Sequence, residues 1–380
     1  MSLKVVLAGG GTGGHLFPLV TVAKYIEKDL MTKGGAQFLY IGPRGAMEKE
    51  VMTKNNIPQK TILTGKLHRY FTPRYFLDIF KAPLGTLQSL WILLWFTPDV
   101  VFAKGGFASV PVVIAAKMYN IPVLIHESDA IPGLANKFLG SIANKVIISF
   151  ERARMYFPKS KTVLAGVPIK EDAIDGDAKI GRELLNLHKE AKPVIFFIGG
   201  SQGAQIINER VMLILPELIK KYQVIHQTGK SHYDFIVSQA QKQGYKIGHS
   251  DYYPIAFIGE ELKHIFALAD VVVSRAGATA IFEIAANEKP SILVPITNSA
   301  NNHQRINAYE VSKVGGAVAI EEANFQEHLL LHTIDQIVGD QEIRSKMQEG
   351  IKSLYFPHST EQIAEELVTL AKKSTAEIND

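Results

Sequence analysis

Apolar positions along this chain fall into short continuous runs separated by stretches of helical period. In the first half the runs are Val5–Ala8, Phe38–Ile41, Val100–Ala103, Val123–His126 and Val146–Ser149, and the spacing predicts helices near 17–30, 45–55, 75–96, 107–118 and 132–143. In the second half they are Val194–Ile198, Gln223–Thr228, Ala256–Ile258, Val271–Ser274, Ser291–Pro295 and Ala317–Ile320, again with helices between. Short strands that are apolar throughout and spaced by helices predict parallel sheets covered on both faces. Ligands of such sheets bind at the carboxyl ends of the strands.

Two of these runs end in glycine-rich turns. Val5–Ala8 leads into Gly9-Gly10-Gly11-Thr12-Gly13-Gly14-His15, and then Pro18, Leu19, Val22 and Ile26 fall at helical spacing. Val194–Ile198 leads into Gly199-Gly200-Ser201-Gln202-Gly203, followed by Ile206, Ile207, Val211 and Leu213. Glycine lets the backbone approach an anion, and the N–H groups and dipole at a helix start attract negative charge. Two such loops heading similar halves predict two α/β domains facing each other, each holding a diphosphate. The expected domains are 1–165 and 166–354, joined near Ala165–Lys170, where Gly166 and Pro168 follow the last strand of the first half. A terminal helix over about 355–373, with Ile363, Leu367 and Leu370 at helical spacing, packs on one domain or the other.

At 380 residues and 47% hydrophobic composition the chain holds two cores of the usual domain size, roughly 100–200 residues. Its 41 basic and 37 acidic residues leave a net charge of +4, so no bulk field points to nucleic acid. There is no cysteine, hence no disulfide framework and no thiolate chemistry, as fits a reducing compartment. Only Lys4 precedes the short first strand, which is no signal-peptide pattern, and no run reaches the about 20 apolar residues of a membrane span. The Leu90–Phe96 run carries both tryptophans, Trp91 and Trp95, and follows Lys66, His68, Arg69, Tyr70, Phe71, Arg74, Tyr75, Phe76 and Lys81. It reads either as a buried helix behind a solvated loop or as a patch that seats basic residues and tryptophans on an anionic membrane surface.

Six stretches then occur in order: Gly9–His15, Lys104-Gly105-Gly106-Phe107, His126-Glu127-Ser128-Asp129, Gly199–Gly203, Arg275-Ala276-Gly277-Ala278 leading to Glu283, and Asn302-His303-Gln304-Arg305-Ile306-Asn307-Ala308. With these the chain resembles, over essentially its whole length, the MurG family. Its members are the N-acetylglucosaminyltransferases that act on undecaprenyl-diphospho-muramoylpentapeptide in peptidoglycan synthesis. The resemblance implies the glycosyltransferase-B fold, two Rossmann-like domains facing across a cleft, with the terminal helix crossing back onto the first. It also implies inverting transfer of N-acetylglucosamine from UDP-N-acetylglucosamine to the muramoyl 4-hydroxyl of the lipid-linked acceptor. The enzyme would sit peripherally on the cytoplasmic face of the cell membrane, held by residues such as Arg69, Arg74, Lys81, Trp91 and Trp95.

In the second half the resemblance implies a donor site. Ser201 and Gln202 surround the diphosphate, the backbone at Ile258 reads uracil, Arg275 and Ala278 form the turn around the nucleotide, and Glu283 accepts from the ribose hydroxyls. His303 and Gln304 contact the sugar, although the family often has a second glutamine where His303 stands. Lys170 brings a single charge to the diphosphate where an arginine is common. In the first half Gly11, Thr12, Gly13 and Gly14 take the acceptor diphosphate, and His126 reads as strand core. Inversion needs one displacement and a base for the acceptor hydroxyl, for which His15 and Glu127 are the candidates. Asp129, where many relatives carry asparagine, assists or replaces Glu127. No Asp-x-Asp pair stands where a metal-bridged sugar donor needs one, so neither metal nor cofactor is called for.

Other readings fit parts of the sequence. Gly9-x-Gly11-x-x-Gly14 is also a dinucleotide fingerprint, but the second strand ends Tyr40-Ile41-Gly42-Pro43-Arg44, with no acid for a ribose, and only Arg44 keeps NADP open. Another glycosyltransferase of this fold with a lipid acceptor, or a sugar-nucleotide epimerase, would share the donor loop. A non-enzymatic nucleotide-sugar sensor would lack His15 and Glu127, and both are present.

Overall fold

Seven strands form one parallel sheet in the first half of the chain: β1 (Leu3–Ala8), β2 (Ala36–Gly42), β3 (Gln59–Thr61), β4 (Val100–Ala103), β5 (Val123–Glu127), β6 (Lys145–Ile148) and β7 (Thr162–Leu164). Their spatial order is β3-β2-β1-β4-β5-β6-β7. The helices are α1 (Gly13–Leu30), α2 (Ala46–Lys54), α3 (Pro73–Phe96), α4 (Ser109–Met118) and α5 (Leu134–Ile142). The structure is a computed structural model that describes residues 2–30, 35–65, 73–170, 173–187, 192–200, 203–248 and 250–379. It divides into two units, Met1–Pro168 with Phe356–Asp380, and Ile169–Tyr355.

Alternate strand residues face opposite sides of a sheet. Val5, Leu7, Val100, Phe102, Leu124 and Ile147 pack with Leu16, Leu19, Val22 and Ile26 of α1. Val6, Ala8, Val101, Ala103, Val123 and Ile125 pack instead with Leu93 of α3, Val112 and Ala116 of α4 and Leu139 of α5. Burial on both faces is why these strands read as unbroken apolar runs.

The second unit holds β8 (Val194–Ile198), β9 (Gln223–Gln227), β10 (Tyr252–Ile255), β11 (Val271–Ser274), β12 (Ser291–Leu293) and β13 (Ala317–Ala319), all parallel, in the order β10-β9-β8-β11-β12-β13. Its helices are α6 (Ala178–Leu184), α7 (Gln205–Lys221), α8 (Tyr233–Lys242), α9 (Leu262–Leu268), α10 (Ala278–Ala286), α11 (His303–Lys313), α12 (Glu327–Gly339) and α13 (Gln341–Lys352). Ile195, Phe197, Val224, Val271, Val273 and Ile292 form its core with Ile207, Val211, Leu215 and Leu218 of α7. The last helix, α14 (Ser359–Asn379), belongs to the first unit, where Ile363, Leu367 and Ala371 join the core on the α1 side.

Ala256–Ile258 is not a strand. The strand there is β10, at the edge of its sheet, where Pro254 is tolerated because an edge strand leaves one side of its backbone unpaired. Residues 256–258 leave the ladder as a loop with Phe257 exposed. In each sheet the strand order reverses once, between β1 and β4 and between β8 and β11, and the two glycine turns follow β1 and β8. Such switch points are where loops part at the carboxyl ends of strands and leave room for a ligand. Among the described residues no helix is long and apolar enough to cross a membrane.

Candidate active site

Three consecutive glycines after β1 are each held by a side chain from elsewhere in the first unit. The Tyr40 hydroxyl donates to Gly9 O at 2.6 Å, His15 Nδ1 lies 3.0 Å from Gly10 O, and Gly11 N–H donates to Glu48 Oε1 at 2.8 Å. Gly10 has φ +142°, and a side chain there would strike Pro43 and the Tyr40 hydroxyl, so this turn requires glycine. A carbonyl only accepts, so His15 Nδ1 carries the hydrogen and the ring lone pair falls on Nε2. Thr12 O accepts from the N–H groups of His15 and Leu16 and so starts α1. The N–H groups of Gly13 and Gly14 lie in its first turn, where no intrahelical partner exists. Of the predicted phosphate loop, the Gly11 N–H is already committed to the buried Glu48 carboxylate.

At the carboxyl end of β5, two strands from β1 in the same sheet, lies Glu127, only 4% exposed. Its Oε1 accepts from Asp129 N–H at 2.9 Å, and its Oε2 accepts from Asn136 Nδ2 at 3.0 Å and Gly133 N–H at 3.2 Å. One carboxylate thus organises the whole turn from β5 into α5. Burial, and then the negative Asp129, push its pKa up to about 7, against the pull of these hydrogen bonds and of Lys104. His126 is a buried strand residue, with Nε2 3.0 Å from both Ser149 Oγ and Gly166 O. Burial, then the nearby Lys104 charge, hold its pKa well below the usual histidine range, so it stays neutral.

In the second unit the described part of the glycine turn is Gly199, Gly200 and Gly203; Ser201 and Gln202 lie outside the described residues. Gly203 has φ +79°, and a side chain there would meet Thr228 O at 2.1 Å. The buried Gln227, at the end of β9, donates to Gly200 O at 3.0 Å and accepts from Ile258 N–H at 3.1 Å. One side-chain amide therefore spans the glycine turn and the backbone at Ile258. Arg275, after β11, pairs with Glu322 at 2.7 Å and donates to Val294 O at 3.1 Å, while Glu322 also accepts from Thr297 N–H at 2.9 Å. Its guanidinium is a brace between the ends of β11, β12 and β13. Ala278 opens α10, and Asn307 of α11 donates to Ala276 O at 3.2 Å, fixing the turn before it.

Glu283, half-buried on α10, has its pKa raised to about 7 by burial, which the positive Lys170 opposes. Gln304 accepts from Ile296 N–H at 3.2 Å, and His303 is the half-buried first residue of α11. Ile258, Arg275, Glu283 and Gln304 all lie on segments that follow the carboxyl ends of strands of one sheet, and Lys170 is close enough to Glu283 to act on its charge. Among the described residues no group of three His, Asp or Glu side chains is arranged to hold a metal ion.

The Leu90–Phe96 run forms the last two turns of α3. Leu93 is core, but Leu84, Leu87, Trp91, Leu94 and Trp95 are all exposed, with Trp91 and Trp95 64% and 73% open to solvent. The two tryptophan rings meet edge-on at 5.8 Å. They line a groove of about 1120 Å³ with Phe38, Ile57 and Phe96. This excludes the buried-helix reading for both tryptophans. Lys81 is half-buried; Arg69 and the Arg74 side chain lie outside the described residues.

Two parallel α/β units, each with a glycine turn at its switch point, are the architecture of the glycosyltransferase-B fold. Residues 5–148 match the glycosyltransferase family 28 N-terminal domain and residues 194–366 its C-terminal domain, so the chain is a family 28 glycosyltransferase. The chain is similar, at 42% identity over 340 residues, to the UDP-N-acetylglucosamine-N-acetylmuramyl-(pentapeptide) pyrophosphoryl-undecaprenol N-acetylglucosamine transferase of Clostridium perfringens, with 89% of this chain and 91% of that one covered. A transferase 2 of the same description from Bacillus cereus is 37% identical over 88% of this chain and 91% of its own. The crystal structure of Acinetobacter baumannii MurG superposes with a TM-score of 0.74 at 23% identity, covering 97% of this chain and 99% of that one. The chain belongs to the MurG family of N-acetylglucosamine transferases. The oxidoreductase reading of the first glycine turn is thereby set aside.

Sequence reasoning quoted Lys104 within a motif and gave it no role, and it did not single out Glu48, Asn136, Gln227 or Glu322. Lys104, Glu48, Gln227 and Glu322 act on loops 24 or more residues away, and Asn136 reaches back nine residues to Glu127 from the helix after its loop, so no local pattern marks them.

Proposed function

We propose that this protein transfers N-acetylglucosamine from UDP-N-acetylglucosamine to the muramoyl 4-hydroxyl of undecaprenyl-diphospho-muramoylpentapeptide, with inversion at the anomeric carbon. The observation that carries this reading is the pair of glycine turns at the two switch points, in a chain of this family. The second unit takes the donor. Glu283 accepts from the ribose hydroxyls, the Ile258 backbone meets the uracil, and the Gly199–Gly203 turn with Lys170 carries the diphosphate. Gln304 and His303 meet the sugar, Ala278 and the braced Arg275 turn enclose the nucleotide, and the reading invokes no metal.

The first unit takes the acceptor. Its diphosphate rests on the first-turn N–H groups of α1 at Gly13 and Gly14 beside Thr12, since the Gly11 amide is held by Glu48. His15 is the base: the Gly10 carbonyl fixes its tautomer, so Nε2 receives the hydroxyl proton as oxygen attacks the anomeric carbon and UDP leaves. Glu127 is too enclosed to be the main proton acceptor and instead holds the loop that presents Ser128 and Asp129.

The acceptor's polyprenyl tail stays in a bilayer, so the protein works on the cytoplasmic face of the cell membrane. Leu84, Leu87, Trp91, Leu94 and Trp95 give α3 an outward apolar stripe for the headgroup region, and the basic residues of this part of the sequence, Arg69, Arg74 and Lys81, supply charge for anionic lipid. The test is to incubate the enzyme with sugar-labelled UDP-N-acetylglucosamine and the lipid-linked muramoylpentapeptide, then extract the lipid. Label in the lipid fraction with the new linkage β is expected; label that stays in the aqueous phase overturns the reading.

A further inference from the structure

Lys104 is a buried lysine that the mechanism above does not use. It follows β4, and its N–H donates to Ala8 O at 2.8 Å, which extends the β1–β4 ladder towards the first glycine turn. A side chain placed on Gly9 would start 3.4 Å from the Lys104 Cβ. The lysine is 1% exposed, and its Nζ donates to Ser128 Oγ at 2.9 Å. A buried ammonium carries a large desolvation penalty unless opposite charge faces it. The carboxylates whose charge acts on it are Glu127, the last residue of β5, and Asp129, in the turn that follows and next to Ser128. Among the described residues His126 on β5 also feels the lysine charge and stays neutral, and His15 on α1 has its ring 3.6 Å from where a side chain on Gly106, two residues after Lys104, would start.

Glu127 accepts from Asp129 N–H, Gly133 N–H and Asn136 Nδ2, all of them donors. An ionised carboxylate satisfies that ring of donors, whereas a protonated one turns an O–H towards it. We propose that Lys104 is a positioning residue, the buried counter-charge that keeps Glu127 ionised and so keeps the 128–133 turn folded at the acceptor end of β5. The effect on the turn is a property of the first unit alone; only its consequence for transfer rests on the acceptor-site reading above. The charges agree in sign: Lys104 lowers the Glu127 pKa while burial and Asp129 raise it, and burial lowers that of Lys104 to about 8 against the pull of both carboxylates.

The experiment compares wild type, K104M and D129N in the full-length enzyme from about pH 5.5 to 9.5, through amide hydrogen exchange over residues 127–136 and kcat/KM for the acceptor. In wild type the protection of the Asp129 and Gly133 amides falls as the pH drops through about 7, the range of Glu127. In K104M the midpoint moves up by about one unit, so that protection and kcat/KM at pH 6.5 drop about tenfold and recover at high pH. D129N removes the like charge and moves the midpoint of protection down. K104Q keeps a donor for Ser128, drops the charge and carries the same test if methionine is not accommodated. An unmoved midpoint, or an equal loss at every pH, overturns the proposal and leaves Lys104 as packing. Full transfer by E127Q would overturn the part of the acceptor-site reading that gives the Glu127-held loop a role in transfer, and the exchange data would still judge Lys104.

Discussion

A carboxyl group taken out of water resists ionisation, and Glu283 shows it: burial raises its pKa to about 7 although Lys170 pulls the other way. A raised carboxyl pKa means the ionised form dominates only above that value, and ribose hydroxyls donate best to the ionised form. UDP affinity is therefore expected to rise from about pH 6 to 8 and to lose this pH dependence in Glu283→Gln, by calorimetry. Glu283→Ala is expected to weaken UDP by roughly 1.5–3 kcal/mol, about 10- to 150-fold, without changing acceptor binding. An unchanged UDP affinity would remove Glu283 from the donor site. His15→Ala should lower kcat by about 10²–10⁴ with donor affinity intact, and a rate that survives saturating acceptor would move the base elsewhere, with Asp129 the next residue to replace. At this scale the sequence showed the residues that sit in its own glycine turns and strand ends. It did not show the braces, because Tyr40, Glu48, Gln227 and Glu322 find their partners only when distant strand ends come together.

Among the elements, central strands were the most legible, since burial on both faces leaves an apolar run with little else to be. β4, β8 and β11 run over the expected residues. Three of the four edge strands were not legible: β3 and β7 are three residues long with polar members, and β10 carries a proline, while the more apolar Ala256–Ile258 beside it is a loop; the fourth, β13, falls within the expected Ala317–Ile320. Periodicity also placed α3, yet it could not say which side of an all-round apolar helix faces out. Packing decides that by turning Leu93 inward and Trp91 and Trp95 outward. Replacing Leu87, Trp91 and Trp95 together by serine is expected to abolish sedimentation with anionic vesicles at low salt. UDP binding should persist, because the three side chains are exposed and surface changes usually stay within about 0.5 kcal/mol each. Equal sedimentation of variant and wild type would leave the stripe without a membrane role.

For the whole molecule, the two-unit α/β architecture followed from the repetition of strand, glycine turn and helix in each half, and the comparisons with known proteins place it in the MurG family. Each sheet puts its glycine turn where the strand order reverses, the position at which open α/β sheets bind ligands. The central claim is that one ligand gives up its sugar to the other. UDP release from UDP-N-acetylglucosamine, followed with and without the lipid-linked muramoylpentapeptide, tests it most directly. The account predicts release that depends on the acceptor, with one UDP for each acceptor glycosylated and the signal lost in His15→Ala. Release at the same rate without acceptor, or none with it, would contradict the account.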